Sequence, residues 1–458
     1  MDPRKSVLPG LIIAALLAVA LIWSGQRTDL TVTATTAVLC IVWWIFEPIP
    51  IPATSLLPLA VMPLFGVLTP IETAAAYGSP LILLLLGGFL LSRGMESTGA
   101  HKRVALGVVR LVGSDSPRRL IFGFMAAGAI LSMWISNAAT ALMLVPVAIA
   151  VLDSCEQRSM LSAPLLLGLA WACSIGGLGT PIGTPPNLIF MQVYAEVTGE
   201  TISFTRWMSW GVPVVLVMVP MAGWWLSRGL PKKIDVSLPA LGQWRSAERR
   251  VLIIFVLTAL AWMTRSEPFG GWRTLLDLPN ANDASVAFLA VVVLFVTRDR
   301  EGKPLITWEQ ASHIPWGVLI LFAAGICLAK ASVSSGLSAI AGDALTHLTS
   351  LPLWLMILMV CLAVTFITEA TSNTATTALL MPILAAAAVA VELNPLLLMV
   401  PAAMSASCAF MLPVATAPNA VIFGTERVPI RQMAANGFAV NIFGAFLITS
   451  LMLILLPH

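Results

Sequence analysis

Apolar runs separated by short polar stretches follow one another along almost the whole chain. Nine of these runs suit a single helix that crosses a bilayer, since about 20 helical residues span the hydrocarbon core. They lie near residues 8–23, 29–46, 51–66, 81–100, 208–228, 250–264, 284–297, 314–332 and 436–456. The pattern therefore predicts an all-α polytopic membrane protein.

Four other apolar stretches are too long for one crossing and cramped for two: 118–152, 163–198, 352–392 and 396–426. Each contains a polar or Gly/Pro-rich break near its middle. Such a break is tolerated at membrane depth only where protein or a wet cavity surrounds it. We therefore expect re-entrant hairpins in the first and third stretches and broken single crossings in the second and fourth.

The distribution of basic residues supports this arrangement. With two hairpins and two broken crossings, the chain crosses the membrane eleven times from a cytoplasmic N-terminus. Nineteen of the 25 Lys and Arg residues then lie inside and only four lie outside, as the positive-inside rule requires. If 118–152 were a single crossing, the orientation of every later segment in the membrane would be reversed.

The chain also repeats itself. Residues 136–140 (SNAAT) match residues 372–376 (SNTAT) at an offset of 236, and residues 183–187 (GTPPN) match residues 415–419 (ATAPN) at an offset of 232. In the predicted topology the first hairpin opens from the inside and the second from the outside. The two halves are thus predicted to be inverted repeats, which are typical of secondary transporters.

This pattern divides the chain into five parts. We expect N-terminal scaffold spans over 1–79, a first inverted repeat over 80–230, a cytoplasmic linker over 231–250, scaffold spans over 251–311 and a second inverted repeat over 312–458. The linker is basic and contains Trp244. We expect an ordinary positive-inside loop there, with contact to the anionic inner leaflet as the alternative.

Composition narrows the class further. Of 458 residues, 58% are hydrophobic and only 10% are charged, against about 25% charged in soluble proteins. A soluble enzyme, a disordered protein and a nucleic-acid binder are therefore excluded, and the net charge of +3 indicates no polyanionic partner. The six cysteines have no CxxC spacing and are expected to be free thiols.

The breaks carry the candidate chemistry. Helix N-termini present free N–H groups to an anion, and Asn offers donors to an anion and a carbonyl oxygen to a cation. One break can therefore hold an anion and a sodium ion side by side. Glu369 is the only acid near a motif, so a bound anion could balance the cations. Each motif alone could instead be interhelical hydrogen-bond glue or a simple kink.

The paired motifs Ser136-Asn137-Ala138 and Ser372-Asn373-Thr374 resemble those of the divalent anion/sodium symporter family of di- and tricarboxylate transporters. The resemblance covers nearly the whole chain. It implies a homodimer in the cell (inner) membrane, with a fixed scaffold domain and a transport domain that moves like an elevator. It further implies a dicarboxylate substrate, Na⁺ as the coupling ion and no other cofactor.

The resemblance also implies the site residues. One sodium site would use Ser132, Ser136, Asn137 and the carbonyl of Gly183, and the other would use Thr368, Thr371, Asn373 and the carbonyl of Ala415. The anion would lie between Asn137, Thr184, Asn373, Thr374 and Thr416. The sequence departs from the family pattern at Ala138, where relatives have Thr, and at Ala417, where many have Pro, which leaves the choice of anion open.

Three functions compete on this evidence. The first is Na⁺-driven import of succinate, fumarate or malate, with sulfate or citrate as other substrates. The second is a sodium-independent dicarboxylate exchanger on the same fold. The third, an intramembrane enzyme, needs a nucleophile with a base or a metal cluster. The sequence contains neither HExxH nor GxSxG, so we expect no enzyme.

Overall fold

The computed structural model describes residues 3–155, 158–231, 238, 242–338, 340, 351–390 and 392–457, with side chains from residue 7 onward. Within these residues the protein is helical, apart from one isolated β-bridge between Arg298 and Pro304. Part of the predicted linker, including Lys232 and Lys233, lies outside the described residues. The prediction of an all-α membrane protein is confirmed.

The predicted single spans are helical. They are α1 (Pro3–Trp23), α2 (Thr28–Phe46), α3 (Ile51–Thr54), α4 (Leu57–Leu64), α6 (Pro80–Thr98), α12 (Phe204–Leu226), α13 (Ser246–Met263), α15 (Asp283–Val296), α17 (Trp316–Ser335) and α22 (Ile430–Leu455). The run 51–66 folds as two short helices instead of one, because Pro58 has no N–H to donate and its ring clashes with the carbonyl four residues earlier.

The four long stretches are broken where the sequence predicts. They form α8 (Pro117–Ser132) and α9 (Asn137–Asp153), α10 (Arg158–Gly176) and α11 (Pro185–Thr198), α18 (Leu353–Thr368) and α19 (Asn373–Ala390), and α20 (Leu396–Ser405) and α21 (Ala417–Phe423). Each second helix begins inside a repeated motif. Four helix N-termini therefore lie at the breaks.

Four further helices have no counterpart among the predicted spans: α5 (Pro70–Tyr77), α7 (Ala100–Val112), α14 (Gly271–Leu275) and α16 (Trp308–Ser312). The longest of the four, α7, buries one face and exposes the other. It begins after Gly99 and ends before Gly113, and both glycines have positive φ. Such a helix is typical of a membrane surface, where only one side meets protein or lipid.

The first helices of the two broken crossings, α10 and α20, lie in the core. Every residue of α10 from Leu161 to Gly176 is buried, and so is every residue of α20. The two are repeat-related, so each half places one fully enclosed helix at the centre. All six cysteines are buried free thiols, as predicted.

The half-helices exchange partners between the two halves. Helix α9 contacts α21, and α11 contacts α19. The second helix of each predicted hairpin therefore packs on the short helix of the other half's broken stretch. An ion pair between Arg427 and Asp153 (2.8 Å) joins the C-terminal ends of the first of these pairs. This packing brings both repeated motifs into one region of the protein.

Candidate functional site

Three oxygen atoms surround one end of the Asn137 side-chain amide at the first break. The side-chain oxygen of Asn137 lies 2.6 Å from Ser132 Oγ, and the same position lies 3.1 Å from the carbonyl oxygen of Cys173 and 3.2 Å from that of Gly183. Asn137 is the first residue of α9, and Ser132 is the last of α8. The structure therefore brings together three of the four predicted ligands: Ser132, Asn137 and the carbonyl of Gly183.

The orientation of the Asn137 amide shows what this point can hold. With its oxygen inward, the amide faces two main-chain carbonyls that have no proton to offer. A cation among the oxygens removes that repulsion, and so does rotation of the amide, which makes its nitrogen the donor. Neutral oxygen ligands at this spacing suit a hard cation such as Na⁺. The same oxygens can therefore be bridged by the Asn137 amide N–H groups or, with the amide oxygen inward, surround a cation.

Ser136, the fourth predicted ligand, caps α9. Its Oγ accepts a hydrogen bond from the N–H of Ala139 (3.3 Å), as Ser commonly does at a helix N-terminus. The carbonyl of Cys173 is a member of the cluster that sequence reasoning missed. A main-chain carbonyl leaves no trace in residue identity, so no motif could have indicated it.

Gly177 closes this cluster from one side. A Cβ added there would lie 2.7 Å from Asn137 Oδ1 and 3.1 Å from the carbonyl oxygen of Gly183. Both separations are shorter than normal van der Waals contact, and the surrounding chain is fully buried. Only glycine therefore allows the loop to approach Asn137 this closely.

We predict that Gly177→Ala lowers sodium-dependent uptake by about tenfold or more, because displacing Asn137 or Gly183 separates ligands of one cation. Gly107→Ala is the matched control, since nothing lies within 4 Å of a Cβ at that helical position. Uptake rates of the two variants at saturating and limiting Na⁺ test this. A Gly177→Ala protein with normal sodium dependence would contradict the assignment.

The second break repeats the arrangement with different residues. Thr368 Oγ1 lies 2.7 Å from Asn373 Oδ1 and 2.9 Å from the carbonyl oxygen of Ala406. A hydroxyl has one proton, so it can satisfy only one of these two acceptors. Thr368 is fully buried and occupies the position of Ser132 in the first half. Thr368 and Asn373 are therefore brought together as predicted.

Thr371, a further predicted ligand, has side-chain contacts outside this set. Its hydroxyl donates to the carbonyl oxygen of Ile367 (2.8 Å) and lies 2.6 Å from the hydroxyl of Thr376. Ala415 is buried, and its N–H donates to the carbonyl of Leu412 (3.2 Å). At the second predicted sodium site, the Thr371 hydroxyl thus makes hydrogen bonds to residues outside the predicted ligand set.

Two asparagines hold the loops of the broken crossings in shape. Asn187 Nδ2 donates to the carbonyls of Gly177 (2.9 Å) and Thr180 (2.7 Å). The repeat-related Asn419 donates to the carbonyls of Ala409 (3.1 Å) and Leu412 (3.0 Å). These acceptors are also related by the offset of 232. The final Asn of each downstream motif is therefore a structural brace, a role that the repeat alone did not identify.

Three of the five predicted anion contacts are threonines at helix starts. Thr184, directly before α11, is buried and makes no capping bond through its side chain. Thr416 instead caps α21 by accepting from the N–H of Asn419 (3.3 Å). Thr374 is buried in the first turn of α19. With four helix N-termini at the breaks, these hydroxyls lie where the helix dipoles favour an anion.

Glu369 lies directly after α18 and is buried. One carboxylate oxygen accepts from the N–H groups of Phe410 (2.7 Å) and Met411 (2.9 Å) and from Asn441 Nδ2 (2.6 Å). The other accepts from the N–H of Leu412 (3.0 Å). The side chain therefore ties the second break to the neighbouring loop and to α22.

Apolar helices broken near the middle of long stretches, with repeated sequence motifs and helix N-termini at the breaks, are typical of a secondary transporter. A family model described as citrate transporter matches residues 41–399. The chain therefore belongs to this family of anion carriers, and the resemblance to the divalent anion/sodium symporters is confirmed.

Curated relatives agree. The sodium-dependent dicarboxylate transporter SdcS of Staphylococcus saprophyticus is 40% identical over 440 residues, which cover 91% of this chain and 84% of that protein. SdcS of Staphylococcus aureus (strain bovine RF122 / ET3-1) is 39% identical with the same coverage. The crystal structure of the Alcanivorax borkumensis YdaH transporter matches with a TM-score of 0.57 and 16% identity, covering 84% of this chain and 87% of that one. That likeness concerns the fold alone.

Proposed function

We propose that the protein imports a C4-dicarboxylate such as succinate, fumarate or malate together with Na⁺. The observation that carries this proposal is that the Ser132, Cys173 and Gly183 oxygens gather around the Asn137 side-chain amide at the first break. The printed function of the SdcS relatives, sodium-dependent dicarboxylate transport, supports the same substrate and ion. The expected sodium ligands and anion contacts are those given above.

Coupling follows from electrostatics. A divalent anion and two cations each lose hydration when they enter a buried site, and a bare ion in a low-dielectric interior is costly. Placed side by side at the two breaks, they offset each other's charge. The ligands at the first break are uncharged, so they do not balance the charge of a bound ion. Neither the cations nor the anion would therefore bind well alone. Joint binding would therefore gate the movement that carries them across.

The remaining features of the proposal concern movement and assembly. The hairpins and broken crossings would form a transport domain that moves as an elevator against a scaffold built from the other spans. The protein would act as a homodimer in the cell (inner) membrane, with eleven crossings and a cytoplasmic N-terminus. The exchange of partners among α9, α21, α11 and α19 supports a transport domain that moves as one unit.

The direct test is uptake of radiolabelled succinate into proteoliposomes with and without an inward sodium gradient. We expect accumulation only with sodium, and competition by unlabelled fumarate and malate. Uptake that requires preloaded dicarboxylate, whatever the sodium gradient, would identify an exchanger instead. Displacement by sulfate or citrate without succinate uptake would keep the transporter class and change the substrate.

We predict that Ala138→Thr changes substrate preference more than sodium dependence. The substitution restores the hydroxyl that Thr374 supplies in the second half, and one hydrogen bond contributes about 1 kcal/mol, or roughly fivefold in affinity. Ala139→Thr is the matched control, because it places the same side chain about 100° further round the helix. Competition profiles across dicarboxylates, citrate and sulfate measure the effect. Identical profiles for wild type and Ala138→Thr would exclude a substrate role for position 138.

A further inference from the structure

A polar concavity of about 600 Å³ lies at the N-terminal end of α13, remote in sequence from both breaks. Its lining comprises Gln243, Trp244, Ser246, Arg249, Arg250 and Arg300. Three arginines therefore line one space, and among the residues that the structure describes no acidic one lines it. Since α13 is a predicted membrane span, the concavity lies where the span meets water.

The acids next to these arginines in sequence have other partners. Glu301 pairs with Lys303 (3.0 Å), and Asp299 accepts from the N–H groups of Glu301 (2.8 Å) and Lys303 (2.9 Å). The Glu248 carboxylate pairs with Arg103 (2.9 Å) and Arg245 (3.1 Å), and Arg103 also donates to the carbonyls of Gly242 and Gln243. Across the described residues, Arg249, Arg250 and Arg300 make no ion pair with a carboxylate. Their charges thus remain available to an external anion.

Main-chain and ring contacts fix the shape of the concavity. The N–H of Arg300 donates to Ser246 Oγ (3.0 Å), and Arg250 donates to the carbonyl of Arg298, so the turn around residue 300 is held against α13. The Trp244 ring lies 4.6 Å from the Arg103 guanidinium and 5.9 Å from that of Arg249. These contacts orient the cationic groups before any ligand binds.

We propose that this concavity binds a phosphate group. Arginine matches phosphate with paired, charge-assisted hydrogen bonds, and three arginines line this one concavity. The half-exposed indole of Trp244 suits the headgroup level of a bilayer. The phosphate is that of an anionic phospholipid headgroup or of a soluble phosphate compound. The site is independent of the transport activity proposed above.

The test uses the purified full-length protein in a nonionic detergent. The apparent melting temperature is followed during titration with short-chain phosphatidylglycerol, short-chain phosphatidylcholine or inorganic pyrophosphate. The variant Arg249→Gln/Arg250→Gln/Arg300→Gln is compared with Lys102→Gln/Arg118→Gln/Arg158→Gln. The second variant removes the same charge from exposed positions outside the concavity.

We expect phosphatidylglycerol to stabilise the wild type and the control variant by several degrees, with half-saturation weakened about tenfold or more in the concavity variant. Phosphatidylcholine should have no such effect, because its headgroup carries no net charge. Stabilisation by pyrophosphate in place of phosphatidylglycerol would assign the site to a soluble phosphate. Equal responses of wild type and both variants, or no response at all, would overturn the proposal. The single variant Arg300→Gln repeats the comparison if the triple variant is unstable.

Discussion

Asn137→Ala is expected to lower sodium-dependent dicarboxylate uptake about a hundredfold while leaving the fold intact. In the proposed site, the side chain would offer its carbonyl oxygen to the cation beside Ser132, Cys173 and Gly183 and its amide protons to the anion. Each interaction with an ionic partner contributes about 1.5–3 kcal/mol, and the two losses in free energy add together. Asn373→Ala is expected to act in the same way through Thr368.

The control for both variants is Asn394→Ala. Asn394 lies between α19 and α20, and its amide donates to the carbonyl of Pro457 (3.2 Å), away from both breaks. Uptake should be measured on monodisperse protein whose melting temperature matches the wild type. Wild-type uptake by either the Asn137 or the Asn373 variant would show that the transported ions do not bind at that break.

Hydrophobic pattern predicted the helical class and the positions of all four breaks, because a membrane span leaves a long apolar signal and a break interrupts it. The starting points of α9 and α19 could be predicted from Ser and Asn at the repeated motifs, because these residues favour helix N-termini. Helices such as α7 were missed, since an amphipathic helix of moderate length has no long apolar run.

The site was predictable only as far as side chains define it. Ser132 lies beside Asn137, and Thr368 lies beside Asn373, which are pairs that the family resemblance implied. The carbonyls of Cys173 and Ala406 could not be predicted, because their role depends on the path of the main chain. The contacts of the Thr371 hydroxyl likewise depend on its rotamer, which sequence does not specify.

Glu369→Gln is expected to lower uptake about tenfold or more and to weaken the apparent affinity for Na⁺. The carboxylate accepts hydrogen bonds from the N–H groups of Phe410, Met411 and Leu412 and from Asn441. A glutamine has one acceptor oxygen, so at least one buried N–H would face its NH₂ group. Leaving a buried donor unpaired costs about 1–3 kcal/mol, and the loop next to Thr368 would shift.

Comparison with the first half explains why this carboxylate is needed. Met133 occupies the position of Glu369, and there the hydroxyl of Thr180 donates to the main-chain carbonyl of Met133. Thr180 corresponds to Leu412, which has no hydroxyl. The second half therefore fixes the same pair of elements with a carboxylate and main-chain donors.

Glu267→Gln is the matched control for the loss of charge. Glu267 accepts only from the hydroxyls of Ser203 (3.1 Å) and Thr205 (2.8 Å), and a hydroxyl can rotate to accept from the new amide, whereas a main-chain N–H cannot. Sodium titrations of uptake and melting temperatures with and without Na⁺ should separate positioning from general instability. A Glu369→Gln protein that is merely less stable, with unchanged sodium affinity, would confine Glu369 to folding. A weaker sodium affinity at normal stability would instead mean that the geometry of the second cation site depends on a buried charge for which the first half has no counterpart.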